Sequence, residues 1–312
     1  MPLPSTMSAS SPTPAPALTP GLLLVLCLPS LFWAGNFIVG RAVSGLVGPV
    51  TLSFLRWVLA LFFLLPFALR PLLRDWQQHR ALYWQHRWRI LGVSVVGVAA
   101  FNTLVYTGLR STTATNGILL NSFIPILIVL LGVLFYGQKL RWSQALGLLV
   151  SFAGVLGIIL HGDWSRLWNL AFGQGDLIVF AAVTGWAVYT LWLRGIPPQI
   201  NRMALLVVQI LLCLLVLLPF FLWEMRAGPV PQWNGRSLAA LAYISIFPSV
   251  LAYLLYNHGV AQVGAARAGA FIHLMPVFGA ILSVLLLGET LHLYHALGMA
   301  CILGGIVLSG RR

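Results

Sequence analysis

Ten stretches of this 312-residue chain are apolar over close to the twenty or so residues that a helix needs to cross the hydrocarbon core of a bilayer. They run at Leu22–Val39, Val50–Leu69, Ile90–Leu109, Thr115–Phe135, Gln144–Leu160, Leu177–Leu193, Ala204–Trp223, Leu238–Val260, Ala268–Leu287 and Leu293–Leu308. Each is expected to be a helix, because a backbone exposed to lipid must satisfy its own hydrogen bonds. Composition closes the alternative. With 60% hydrophobic and only 7% charged residues, the chain cannot dress a water-facing surface, which needs about a quarter of its residues charged. The expected fold class is an all-α membrane protein of ten transmembrane helices.

The segments between the spans suggest an orientation. Residues 1–21 are rich in Ser, Pro, Thr and Ala and carry no Lys or Arg, so they lack the basic start of a secretory signal peptide and read as a disordered cytoplasmic tail. With both termini in the cytoplasm, twelve of the eighteen basic residues fall in inside segments. The densest cluster, Arg70 to Arg89, joins spans two and three and is expected to lie against anionic headgroups. A net charge of +13 could suggest nucleic acid, but the basic residues are scattered between apolar runs and form no continuous patch, so no nucleic-acid partner is expected. Cys27, Cys213 and Cys301 lie inside apolar stretches without ligand spacing, and neither a metal nor a cofactor follows from them.

The chain repeats itself. Gly108, Ala114, Pro125, Ala145, Leu146, Gly147 and Gly154 recur 151 residues later as Gly259, Ala265, Pro276, Ala296, Leu297, Gly298 and Gly305. Trp33, Ala34 and Arg41 recur 153 residues later as Trp186, Ala187 and Arg194. The expected repeats are residues 22–161 and 175–310. Five helices are an odd number, so the second copy enters the membrane from the opposite side, giving two inverted five-helix repeats (5+5). The turn with Lys139 and Arg141, set against its counterpart with Glu289 and Leu291, agrees with that inversion.

Several short runs carry a family likeness: Phe32-Trp33-Ala34-Gly35-Asn36-Phe37, Phe54-Leu55-Arg56, Asn121 with Pro125, Gly175-Asp176, His273-Leu274-Met275-Pro276-Val277-Phe278 and Gly288-Glu289-Thr290. With the duplicated plan, the chain resembles the drug/metabolite transporter (DMT) superfamily and, within it, the bacterial EamA-type permeases. The resemblance implies a cavity between the two halves, export of a metabolite, and a place in the bacterial inner membrane. One departure stands in the first half, where Gly137-Gln138 replaces the Gly-Glu usual in such permeases.

Only five acidic residues exist, Asp75, Asp163, Asp176, Glu224 and Glu289, each expected in a loop or at a helix end. No paired carboxylates fall within a span, which weakens any hydrolase and any Asp/Glu proton relay, and no catalytic residue is assigned. Asp176 is expected as an N-cap and Glu289 as a cap or turn residue. Arg56 is the one basic residue well inside a span, a placement that costs about 2.5 to 3.5 kcal/mol unless a watery cavity or a partner receives it. Its image is Gln209. Arg56 either faces a central pathway or snorkels to the interface. The further candidate cavity residues are Asn36, Asn102, Tyr106, Asn121, Trp186, Tyr189, Tyr253, Tyr256, Asn257, His258 and His273. The repeat places Asn36 over Tyr189, Asn102 over Tyr253 and Tyr106 over Asn257, and each could equally serve as polar glue between helices. His258 and His273 are the candidates for a proton-linked step. Pro125 and Pro276 should kink spans four and nine. The glycines of spans five and ten could serve a homodimer or a contact between halves.

The leading expectation is a secondary transporter that moves a small molecule across the lipid bilayer by alternating access. An arginine, amides, phenols and imidazoles without a buried carboxylate favour a neutral, zwitterionic or anionic solute, such as an amino acid or a related compound. The alternative is a membrane-embedded enzyme acting on lipid-like substrates. A retinal receptor fails, because the sole lysine, Lys139, lies in a loop and cannot form the Schiff base.

Overall fold

The computed structural model describes residues 19–169, 173–287 and 292–309, and among these it is helical without strands. Residues 1–18 of the expected tail and the Gly288-Glu289-Thr290 turn lie outside the described residues. In chain order the helices are α1 (Pro20–Ala42), α2 (Pro49–Gln85), α3 (Arg87–Gly108), α4 (Ala114–Tyr136), α5 (Trp142–Ile159), α6 (Gln174–Leu193), α7 (Arg202–Ala227), α8 (Gly235–Val263), α9 (Ala265–Leu282) and α10 (Leu293–Ser309). The first nine are long and apolar enough to cross a membrane, and α10 is apolar but only 17 residues long.

Local chemistry explains the boundaries, and corrects two of them. Thr19 caps α1, its hydroxyl accepting from the Leu22 amide, and Pro20 takes the first helical position, where no N–H is needed. The helix therefore starts inside the segment expected as tail. The basic stretch expected as a loop after span two is also helical, since α2 runs for 37 residues through Pro66 and Pro71 to Gln85. Hydropathy marks where the bilayer ends, and Arg70, Arg74 and Arg80 continue the helix beyond that level. The proline kinks take the form of breaks: α4 is interrupted after Asn121 and resumes at Ile124-Pro125, and α9 passes through a 3-10 turn, Phe271–Leu274, before Met275-Pro276.

Packing is reciprocal. α1 lies on α8 as α6 lies on α3, while α2 pairs with α7 and α5 pairs with α10. On α5 and α10 a side chain at Gly147 would collide with the Gly305 carbonyl, and one at Gly305 with the Gly147 carbonyl. One at Gly154 would stand 2.6 Å from the Gly298 carbonyl, and one at Gly298 would stand 2.8 Å from that of Gly154. Small residues thus bring these two antiparallel backbones into contact within one molecule. The same exchange recurs where Gly108 meets Val179 and Gly259 meets Leu26, positions offset by 151 and 153 residues.

Candidate functional site

Arg56 sits on α2 with no exposed surface and does not snorkel. Its Nε donates to Ser249 Oγ at 2.7 Å, and its Nη1 donates to Asn102 Oδ1 at 2.8 Å, to Asn36 Oδ1 at 3.4 Å and to the Tyr106 hydroxyl. The guanidinium also lies over the Trp57 ring, 5.1 Å from its centroid. Every partner is neutral. Among the described residues the one ion pair is His79 with Asp75, so no described carboxylate offsets the Arg56 charge at close range.

A turn of π-helix in each of two helices makes this arrangement possible. Such a turn widens the ladder and leaves carbonyls for other donors. In α3 it covers Ser94–Ala100, and the Gly97 carbonyl accepts from the Tyr253 hydroxyl at 2.7 Å. In α8 it covers Phe247–Leu251, sets Ser249 against Arg56, and offers the Pro248 carbonyl to Trp33 Nε1 at 3.2 Å. Gly97 and Pro248 are 151 residues apart, so the image carbonyls each take a donor from the other half. Ser249 and both π turns were missed from the sequence. Their signal there is slight: Ser94 and Ser245, 151 residues apart, each bond back to the carbonyl four residues earlier.

The second half holds the partial image of the Arg56 cluster. The Tyr106 hydroxyl donates to Asn36 Oδ1 at 2.8 Å, and the Tyr189 hydroxyl donates to Asn257 Oδ1 at 2.7 Å, the same bond with its residues exchanged. Asn102 Nδ2 donates to the hydroxyl of its own image, Tyr253, at 3.0 Å. Gln209 stands where Arg56 would, fully buried, and among the described residues neither its amide atoms nor Asn257 Nδ2 has a hydrogen-bond partner. Tyr256 pairs with the Thr190 hydroxyl at 3.1 Å.

Between these clusters the image tryptophans meet edge to face, Trp33 and Trp186 at 5.0 Å, with Tyr253, Tyr256 and Tyr189 around Trp186. Beside them lies a small pocket of about 10 Å³, room for about one water, lined by Asn36, Asn121, Phe37, Phe101 and both tryptophans. Asn121 Oδ1 and Trp186 Nε1 are buried there without partners, while Asn121 Nδ2 lies 2.9 Å from Met275 Sδ. Arg56 is not among the lining residues; Asn36 stands between its guanidinium and the cavity.

Other sequence candidates go elsewhere. His273 is buried at the seam of α5, α4 and α9, with Ser151 Oγ 2.6 Å from Nδ1 and the Ser122 carbonyl 2.8 Å from Nε2. His258 is exposed on the outer face of α8, away from the cluster. Asp176 is not the N-cap but the third residue of α6, where the chain already turns at Gly173; its carboxylate accepts from the Gly173 amide, from Thr112 and from Asn116. Asp75 is not in a loop but inside α2, accepting from the Tyr83 hydroxyl and the Asn201 amide at the start of α7. Glu224, near the end of α7, accepts from the Val50 and Thr51 amides at the start of α2, where Gly48 has no side chain to cap with. Among the described residues no three His, Cys, Asp or Glu side chains gather in a metal-binding group.

Residues 19–160 and 173–311 each match the sequence profile of the EamA-like transporter family. The chain is 31% identical over 220 residues to an uncharacterized transporter, YetK, of Bacillus subtilis, covering 70% of this chain and 67% of that one. It is 28% identical over 295 residues to an uncharacterized transporter of Archaeoglobus fulgidus, covering 92% and 96%. It is 25% identical over 216 residues to a probable terminal-alkyne amino-acid exporter of Streptantibioticus cattleyicolor, covering 69% and 70%. A protein of known crystal structure superimposes with a TM-score of 0.72 at 19% identity, over 93% of this chain and 96% of its own.

Proposed function

The chain belongs to the EamA-like transporter family, and from that premise we propose that it carries a small polar metabolite, an amino acid or a related compound, out of the cell by alternating access. It is a multi-pass membrane protein. In the proposed arrangement ten spans form two inverted five-helix repeats, residues 22–161 and 175–310, in the bacterial inner membrane with both termini cytoplasmic. The reciprocal contacts between image positions support the inversion, and the two profile matches support the repeat boundaries.

One observation carries the site: an enclosed cavity between image tryptophans, lined by two amides and backed by a buried cation with only neutral partners. In the low-dielectric interior the Arg56 charge acts over a long range and favours a carboxylate-bearing solute over a cation. The pocket has room for about one water as it stands, so a solute enters when the halves part; the aromatic walls would then meet an aliphatic or aromatic side chain, and the Asn121 and Trp186 atoms without a described partner a polar group. The name of the Streptantibioticus relative supports an amino-acid substrate and outward transport. The described carboxylates Asp75, Asp163, Asp176 and Glu224 each accept from a backbone amide, which favours a carrier over an enzyme that would need one free for acid-base chemistry.

The test is a counterflow screen of the purified protein in liposomes with amino acids, organic acids and nucleosides, each with and without a pH gradient. Saturable exchange of amino acids supports the reading. Exchange confined to nucleosides, or none with any class in folded protein, overturns the substrate assignment.

A further inference from the structure

At the far end of α2, away from the central cavity, the helix is longer than a crossing requires. About twenty residues cross the hydrocarbon, so from Pro49 the crossing is complete near Leu69, and the helix continues to Gln85 with Arg70, Arg74 and Arg80 exposed. Where this extension turns back into α3 it forms a groove with α7. Trp76, Trp84, Trp88, Ile90, Val208 and Leu212 make the groove almost wholly apolar. Its one free charge is Arg87. That guanidinium lies over the Trp84 ring at 4.9 Å and the Trp88 ring at 5.6 Å, and donates to the Trp84 carbonyl at 2.9 Å. No described carboxylate is within ion-pair distance of it.

We propose that this groove is a binding site for an anionic phospholipid, with the phosphate on Arg87 and one acyl chain laid between Trp84, Trp88 and the α7 residues Val208 and Leu212. Three features select that occupant. The groove runs from Arg87 at the turn between α2 and α3 to Val208 and Leu212 inside the apolar span α7, so it accepts a molecule that is polar at one end and apolar at the other. The tryptophans, 51%, 70% and 71% exposed at Trp76, Trp84 and Trp88, are of the type that settles at the membrane interface. Arg70, Arg74 and Arg80 along the same helix and Arg89 at the start of α3 are exposed and without a described carboxylate partner, which disfavours a headgroup that carries its own ammonium.

The experiment reconstitutes the full chain in nanodiscs of phosphatidylcholine with increasing phosphatidylglycerol, some of it brominated on the acyl chains, and reads tryptophan quenching and melting temperature. The expected result is saturable quenching by brominated phosphatidylglycerol, with a half-point that moves roughly fivefold higher in Arg87→Gln, the effect of losing one interfacial charge. Arg236→Gln, at the start of α8, should leave the half-point in place. A Trp84→Phe, Trp88→Phe double variant should lose the saturable part of the quenching, leaving that of the other exposed tryptophans, while its melting temperature stays responsive, which separates a lost reporter from a lost fold. Equal half-points for wild type and Arg87→Gln would reduce the effect to general surface charge and overturn the site. The same rise in melting temperature from soluble glycerol phosphate would assign the anion to solution and overturn the lipid.

Discussion

Four side chains hold the Arg56 guanidinium, three from the first half and Ser249 from the second. Charge-assisted bonds of this kind are roughly twice as strong as neutral ones, so Arg56 joins the halves as well as charging their centre. Arg56→Ala would leave a buried cavity, with Asn102 Oδ1 lacking a donor, and is expected to destabilise the protein by about 2–5 kcal/mol, read as a large fall in melting temperature. Arg56→Gln should be milder, because Gln209 occupies the image position in the same fold, while counterflow falls at least about tenfold. Full transport by Arg56→Gln would remove the cation from the substrate's path. The exchanged pairs give a second test. Tyr189→Phe and Asn257→Leu should each cost about 1 kcal/mol, whereas Tyr189→Asn with Asn257→Tyr rebuilds the order seen at Asn36 and Tyr106 and should recover most of the melting temperature lost by either single exchange. Arg56 stood out in the sequence because a cation inside a span is rare, and the repeat offset singled out Asn36, Asn102 and Tyr106 as polar positions without placing them around it. Ser249 did not, since its approach depends on a π turn that hydropathy and periodicity do not register.

Helix α5 meets α10 at glycines, so this pair is fixed by backbone contact, with little side-chain slack. Gly154→Leu is expected to force the helices apart, with a loss of several kcal/mol from overpacking against carbonyls that cannot turn aside. Gly157 has open space around it, and Gly157→Ala should raise stability by about 0.5–1 kcal/mol through helix propensity. Thermal melts of the two variants check both signs, and a neutral Gly154→Leu would show that the contact is looser than drawn. The spans themselves were readable from hydropathy, because a crossing length of apolar sequence has few other uses. Their ends were not. Asp75 was expected in a loop or at a helix end and lies inside α2. Neither it nor Glu224, which does stand near a helix end, shows in the sequence that it reaches an amide at the start of the opposite helix, because such capping between helices leaves no local pattern. His258 shows the converse error: a histidine next to Asn257 in the chain points the other way on the helix, because adjacent residues are about 100° apart.

Across the whole molecule the likeness between halves is broken most clearly at the two ends. At the end where α1 finishes, Asp176 of the second half accepts from Thr112 at 2.5 Å and Asn116 at 3.2 Å of the first. At the image positions stand Leu23, Val263 and Arg267, so the residue corresponding to Asp176 is aliphatic. A protein that alternates between two inverted states has equal energies for them only if the ends are alike, and a carboxylate latch on one end biases the equilibrium toward closure there. Replacing the latch by its own image, Asp176→Leu, should therefore open that end. Beneath it lies a cleft between α1, α4, α5 and α9 in which Ile118 is buried. With Cys27, Cys213 and Cys301 replaced and a reporter Ile118→Cys introduced, labelling by a membrane-impermeant maleimide should be about tenfold faster in Asp176→Leu, the ratio expected for the loss of one charge-assisted bond. Asp176→Asn, which retains an acceptor oxygen, should fall between. Equal labelling rates in all three proteins would mean that Asp176 only caps α6, and that the balance between the two states is set inside the bundle, at Arg56 and its uncharged image.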